Sequence, residues 1–238
     1  MDLKFFKSPI ANFSIQKFYT SNLHFGHSFS DWNSQIIGSQ HFLYKHSNLV
    51  IFNLNYNSLY FSKAIFFLKH LVFYGGVSMF VDHDRLTKSV VKLTADYLCQ
   101  PYLCSIWSGG TLTNFREVVL KNVRKAGKSL LRFRTKQYVS GLRKLEYIPN
   151  FVIFSSSYYS AFAVKECNIL NIPSIGILDS NVWASEILFP IFGNDDAITS
   201  VKLVFFLLAA AFRSGRSALI LNYFGLISNF ILRRINNR

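Results

Sequence analysis

Along this chain, short continuous apolar runs alternate with longer stretches in which apolar residues return every three or four positions. Phe151–Phe154 and most of Ser174–Leu178 are runs of the first kind. Between them, Ala161–Leu170 sets Phe162, Val164 and Cys167 apart from Lys165 and Glu166, with Ile169 and Leu170 following. This order predicts a strand–helix–strand crossover and parallel pairing. Pro173 suits the first position of the second strand, where a missing ladder N–H is tolerated. The earlier chain repeats the pattern. Leu49–Leu54 reads as a buried strand, and Ser58–Phe73 as a helix with Ser58 at its N-cap and Gly75-Gly76 at its stop. Val77–Val81 reads as a strand, Thr87–Leu98 as a helix with Val90, Val91, Leu93, Ala95 and Leu98 on its apolar side, and Tyr102–Trp107 as a strand. Five β segments separated by helices predict an α/β fold: a parallel sheet of about five strands covered on both faces, three layers of the Rossmann or flavodoxin-like kind.

From Phe115 to Leu145 the pattern changes. Val119, Val123, Ala126, Leu130 and Phe133 form a narrow stripe stepping by four and three, which predicts a helix. The remaining positions are strongly basic, and a turn is expected within Lys136–Gly141. Farther on, the apolar run Leu203–Phe212 is too short to span a bilayer, and Asn222 and Asn229 interrupt the next one. A buried helix followed by a partly apolar tail is expected. The chain thus divides into an extension (1–20), an α/β domain (21–114 and 147–213), an inserted basic helical hairpin (115–146) and a C-terminal tail (214–238).

Charge sharpens this picture. The 238 residues carry 26 Lys and Arg against 12 Asp and Glu, a net charge of +14 that favours a polyanionic partner over a free metabolic enzyme. Ten of those basic residues and only two acids fall within 116–146. Arg116, Lys121, Arg124, Lys125, Lys128, Arg132, Arg134 and Lys136 are the candidate RNA contacts there. Like charges four apart repel by a few tenths of a kcal/mol, a cost that a polyanion reverses. An anionic membrane surface would satisfy the same charge, and the tail's Arg216, Arg233, Arg234 and Arg238 around an apolar centre keep a peripheral or integral membrane protein as the alternative.

Phe, Asn, Ile, Tyr, Lys and Ser are heavily used and Ala sparsely, a bias that suits an A/T-rich organelle genome. The three cysteines, Cys99, Cys104 and Cys167, form no CxxC and predict buried reduced thiols. The N-terminus shows neither a secretory h-region with a cleavage site nor the Arg-rich pattern of an imported transit peptide.

Several groups carry candidate chemistry. Asp179-Ser180-Asn181 ends a predicted strand, at the carboxyl edge where open α/β sheets place functional groups. With Asp195 and Asp196 it would supply the carboxylates of a Mg²⁺-dependent enzyme, the least favoured alternative. The simpler expectation is that Asp195 or Asp196 caps the helix starting near Ala197, beside Asn194. His24 and His27 could be two metal ligands, but no Cys or carboxylate nearby has matching spacing. The expectation is instead a turn in which these imidazoles and the Trp32 indole make hydrogen bonds or stack, or meet RNA bases and phosphates. Gly109 and Gly110, between Trp107 and Asn114, could cradle a phosphate through backbone N–H groups. Their plainer role is a tight turn into a helix capped by Thr113 or Asn114. Gly127-Lys128-Ser129 lacks the first glycine of a nucleotide loop, and no cofactor or metal is expected.

Three blocks of sequence resemble ribosomal protein S2 of the small subunit. LHFGHSFSDWN, followed by Gly38, resembles that family's opening. WSGGTLTNF resembles its Trp-x-Gly-Gly-x-Leu-Thr-Asn-Phe, with Ile106 where the family has Arg. PNFVIF, AVKECNILNIPSIGILDSN and PIFGNDDAITS resemble its last block in order and spacing. The chain departs at Asn150, Cys167, Ser180, Ala184, Phe192 and Thr199.

The resemblance spans roughly Leu23 to Arg213. It implies a non-enzymatic constituent of the small ribosomal subunit, bound to rRNA near the head–body junction and to neighbouring ribosomal proteins. It also implies that residues 115–146 are a shortened form of the family's protruding hairpin. With the compositional bias, it implies a mitochondrial-matrix ribosome and an organelle-encoded chain.

Overall fold

The computed structural model describes residues 15–33, 41–126, 140–182 and 186–236, and for 125–126 and 225–236 the backbone alone. The elements run α1 (Ile15–Thr20), β1 (Phe25–Ser28), β2 (Phe42–His46), β3 (Leu49–Phe52), α2 (Leu54–Phe73), β4 (Ser78–Val81), α3 (Lys88–Tyr97) and β5 (Tyr102–Leu103). A π-helical turn (Arg116–Leu120) leads into α4 (Lys121–Ala126). A 3₁₀ turn (Leu142–Lys144) precedes β6 (Phe151–Phe154), α5 (Ala161–Ile169), β7 (Ser174–Leu178), β8 (Phe189–Phe192) and α6 (Ile198–Asn236).

Five parallel strands form the central sheet, in the order β5-β4-β6-β7-β8. Alternation along each strand sends side chains to opposite faces, and both faces are apolar. Phe80, Phe151, Ile153, Ile175 and Ile177 pack beneath α2, α3 and α6. Met79, Val81, Val152, Phe154 and Leu178 pack with Ala163, Val164 and Cys167 of α5 and with Phe115 and Val119. Phe52, Phe61, Phe80, Phe151, Phe154 and Phe205 are all essentially inaccessible. Each contributes roughly 2–3 kcal/mol of burial, which accounts for much of the Phe-rich composition.

The expected sheet is present, with one strand exchanged. Leu49–Phe52 does not belong to it but forms a separate three-stranded antiparallel sheet, β1-β3-β2. The β2–β3 connection is a two-residue turn, Ser47-Asn48, with both residues at positive φ. The fifth parallel strand is β8, whose Pro190 lies at the sheet edge, where no neighbour needs its missing N–H. The predicted strand Tyr102–Trp107 shortens to two residues, and Gly141 O accepts a hydrogen bond from Tyr102 N at 3.1 Å beside it.

Helix limits also differ. α2 starts four residues before the expected Ser58, because the Asn53 side chain accepts the Asn55 N–H. It ends as expected at Gly75-Gly76, where Gly75 N–H bonds Val72 O and Gly76 N–H bonds Leu71 O, a Schellman arrangement. Leu93 and Phe162, expected to be buried, are 70% and 76% exposed, whereas Glu166, expected on the outer side of α5, is buried.

α6 does not stop at Phe212. It continues through Arg213-Ser214-Gly215-Arg216 as one helix, because none of those residues breaks the hydrogen-bond ladder. From Ile198 to Phe224 it is long and apolar enough to cross a membrane by length and composition. In the fold, its first half buries Val201, Val204, Phe205, Leu208, Ala211 and Phe212. The extension before Ile15, residues 136–139 of the turn expected within Lys136–Gly141, Leu130 and Phe133 of the stripe, and Gly127-Lys128-Ser129 lie outside the described residues.

Candidate functional site

Two polar constellations and one basic groove surround the ends of the sheet. The first is built on the loop after β5. Gly110 adopts φ +84°, a conformation that costs glycine little, and turns the following amides inward. An anion occupies the resulting cradle, and it is the protein's own. Glu166 Oε1 accepts hydrogen bonds from Trp107 Nε1 (2.9 Å) and Gly110 N (2.8 Å), while Oε2 accepts from Leu112 N (2.8 Å), Thr113 N (3.1 Å) and Thr113 Oγ1 (3.3 Å). Burial pushes the Glu166 carboxyl upward, but the donors from Trp107, Leu112, Thr113 and Gly110 together hold it below its ordinary value.

The Gly109-Gly110 turn therefore serves the fold by receiving a carboxylate, and a phosphate has no vacant place in it. Gly109 is exposed, and Asn114 contributes its backbone, accepting from Glu117 N and Val118 N. Neither Thr113 nor Asn114 caps the helix through its side chain: the N-cap position falls at Phe115, and the first helix amides, Glu117 and Val118, bond the Asn114 carbonyl.

The second constellation lies at the carboxyl edge, where β1 crosses the ends of β7 and β8. Gly26 permits the approach: a Cβ there would meet Ser180 Oγ at 2.9 Å and Asp179 Oδ1 at 3.1 Å. His27 N–H donates to Asp179 Oδ1 (3.1 Å) and Ser180 Oγ (2.9 Å). The His27 ring lies between two carboxylates, with Nδ1 3.1 Å from Asp179 Oδ2 and Nε2 3.2 Å from Asp196 Oδ2. Asn181 Nδ2 is 3.4 Å from Nε2. The hydrogen bond to Asp179 raises the imidazole pKa to about 9, against the effect of burial and with help from Asp179, Asp196 and Asp195.

Asp195 is 2% exposed, and neither carboxylate oxygen has a hydrogen-bonding donor in place. Burial, then the charge of Asp179, pushes its pKa up to about 7; the Ser156 hydroxyl acts in the opposite direction. The expected helix cap is neither Asp195 nor Asp196. Asn194 Oδ1 accepts from Asp196 N and Ala197 N, both at 2.9 Å, which leaves the Asp195 side chain directed inward. Carboxylates thus reach His27 from about 150 residues away, which local spacing cannot reveal.

His24 is not part of this group. It is 6% exposed, stacked on Tyr19 at 4.4 Å and tilted against Phe25 at 4.0 Å, and burial lowers its pKa. Trp32 stacks on Phe29 at 4.1 Å, as a stacking role predicts.

The third feature is an open groove of about 1150 Å³ beside the π-helical turn and α4. Arg116, Lys121, Arg124 and Arg143 line it, with Tyr147, which is 79% exposed. Glu117 pairs with Lys121 four residues later. The Lys125 side chain and residues Lys128, Arg132, Arg134 and Lys136 lie outside the described residues.

The family model of ribosomal protein S2 matches residues 19–215, which encloses all three features. The chain belongs to the ribosomal protein S2 family. Among its relatives, the small ribosomal subunit protein uS2 of Renibacterium salmoninarum is 29% identical over 223 residues, covering 85% of this chain and 75% of that protein. The uS2 of Corynebacterium glutamicum strain R is 28% identical, covering 88% and 86%. That of Pseudarthrobacter chlorophenolicus is 31% identical, covering 85% and 76%.

All three relatives are bacterial. S2 proteins form a structural, non-enzymatic family, so the carboxylates of this S2 chain are not catalytic groups. Glu166, Gly26 and Ser180, absent from the expected site residues, organise the S2 motifs. Their only signal in the sequence was membership of the motif blocks themselves.

Proposed function

We propose that this S2-family chain is a structural constituent of the small ribosomal subunit that binds small-subunit rRNA through its basic surface. The observation that carries this is the way the fold sorts its charges. Asp82, Glu166, Asp179 and Asp195, four of the 12 acidic residues, are buried, whereas Lys69 is the one buried Lys or Arg among the described residues. The outer surface is therefore more cationic than the sequence total of +14 indicates. Arg116, Lys121, Arg124 and Arg143 offer charges to phosphates, and Tyr147 beside them offers a face on which a base can stack. The inserted segment 115–146 acts as the arm of this surface, and 1–20 and 214–238 meet neighbouring small-subunit proteins. Binding is electrostatic and geometric, driven by counterion release without base-specific chemistry.

The test is charge reversal at Lys121, Arg124, Lys125 and Lys128 to Glu. Sedimentation of assembled particles is expected to show strongly reduced incorporation of the variant, while circular dichroism stays unchanged. Full incorporation would overturn the proposal. The ribosome concerned is mitochondrial in this proposal, and the chain organelle-encoded. The A/T-type residue usage and the short basic insertion support that compartment, although the relatives above are bacterial. Co-sedimentation with mitochondrial small subunits after fractionation is the expected result; its presence in another ribosome pool alone would refute it.

A further inference from the structure

The β2–β3 hairpin is the part of the small sheet that the core does not use. β2 is the outer strand of the order β1-β3-β2, and no described strand pairs with its far edge. Leu43, Tyr44, Lys45 and His46 are all exposed, so neither face of β2 is covered by the described residues. The tip is nevertheless held in place. Ser47 and Asn48 make the tight turn at positive φ, and Asn48 O accepts the Phe29 N–H at 2.7 Å, which ties the turn to the loop after β1. Lys45 Nζ stands 4.1 Å from the centre of the Phe29 ring, and Trp32 stacks on that ring at 4.1 Å. Tyr44 is 51% exposed, with the His46 imidazole edge-on to it at 6.4 Å.

Charge selects what such a tip can meet. Residues 32–81 contain no Asp or Glu. The acid just before them, Asp31, accepts a hydrogen bond from Ser28 Oγ at 2.8 Å. An apolar protein surface would cover Lys45 and His46 without pairing them, at the cost of their hydration. A stretch of unpaired RNA uses every group on offer: a base stacks on the phenol ring, and phosphates accept from the ammonium and the imidazole.

We propose that the tip of the β2–β3 hairpin is a second RNA-binding site. It takes an unpaired RNA segment, with a base stacked on Tyr44 and phosphates held by Lys45 and His46. This deepens the RNA-binding reading above and rests on it, but the tip shares no residue with the groove lined by Arg116, Lys121 and Arg124. Stacking tolerates any base, because each has a π-face, so the site holds RNA without reading its sequence. The Phe29 ring fixes Lys45 before RNA arrives, which lowers the ordering cost of the contact.

The experiment uses the full chain in filter binding to small-subunit rRNA and to a short oligouridine. Tyr44→Ala should weaken binding about 5–150-fold, the loss of one stacked base. Lys45→Met keeps an apolar stem over Phe29, and should make the slope of log K against log salt shallower by about 0.7, one phosphate on a single strand. Circular dichroism of both variants should match the wild type. In the wild type, rRNA substituted with 4-thiouridine should cross-link to Tyr44 or His46 under ultraviolet light, and adducts confined to other residues would overturn the site. If the wild type binds neither RNA, this site and the reading it rests on fall together. If Lys121→Glu and Arg124→Glu weaken binding while Tyr44→Ala and Lys45→Met leave affinity and slope unchanged, the hairpin site alone falls. Hairpin variants that bind RNA normally but fail to enter the particle would mean that a protein strand adds to the edge of β2, which also overturns the proposal.

Discussion

Replacing Glu166 by Gln tests the internal anion cradle with a change of one atom. Its carboxylate accepts from four N–H donors and one hydroxyl at 2.8–3.3 Å, and every one of these donors points at an oxygen. An amide offers one oxygen and one NH₂. In either orientation two N–H donors, those of Trp107 and Gly110 or those of Leu112 and Thr113, meet another donor, and the remaining bonds lose their charge. Hydrogen bonds to a charged group contribute about 1.5–3 kcal/mol each, so the substitution should cost about 3–4 kcal/mol. For a chain of this size that is a fall in Tm of about 6–16 °C.

The assay is thermal and urea unfolding of the wild type, Glu166→Gln and the exposed control Glu117→Gln, which should stay within about 0.5 kcal/mol of the wild type. The pH dependence supplies a second check. Because the folded pKa of Glu166 is held below the ordinary 4.5, its stabilisation is complete above that value and is lost as pH falls through the folded pKa. The gap between wild type and variant should therefore close in acid. A Glu166→Gln protein as stable as Glu117→Gln at neutral pH would refute the cradle as a stabilising element.

Three further outcomes are expected. Gly26→Ala places a methyl 2.9 Å from Ser180 Oγ and 3.2 Å from Phe52 Cε2, and should lower stability by about 1–3 kcal/mol in the same unfolding assay. The raised pKa of His27, about 9 against 6.5, makes its contribution complete below pH 6.5 and lost as pH rises through 9. The wild type should thus lose at most about 3.4 kcal/mol across that window, and His27→Gln should flatten the profile measured by denaturation at fixed pH. If about six phosphates are contacted, filter binding to small-subunit rRNA should show log K falling with log salt at a slope of about −4 to −5, and a slope near zero would exclude phosphate neutralisation.

What could be read from the sequence followed physical lines. Strands β4, β6 and β7 are buried on both sides, so each is a continuous apolar run, and α2 and α3 show plain helical spacing. Leu49–Phe52 is just as apolar, but apolarity does not say which neighbour a strand pairs with. The Ser47-Asn48 turn lacks the glycine that usually marks a two-residue hairpin, and its positive φ values could not be inferred from composition. Pro190 hid β8, because proline argues against a strand except at an edge. Glu166 looked like an outward residue of α5, since helical spacing contains no information about a loop more than fifty residues earlier. The family blocks did include His27, Asp179, Asp195 and Asp196, yet only the tertiary fold shows that they converge.

The two flanks of the parallel sheet have a consequence for the life of the chain before assembly. One flank is a two-residue strand covered by the Gly141 turn, and the other carries a proline. Neither presents a long open ladder onto which a second copy could add. A second copy therefore has little edge to extend on this sheet, which disfavours fibre-like self-association through it.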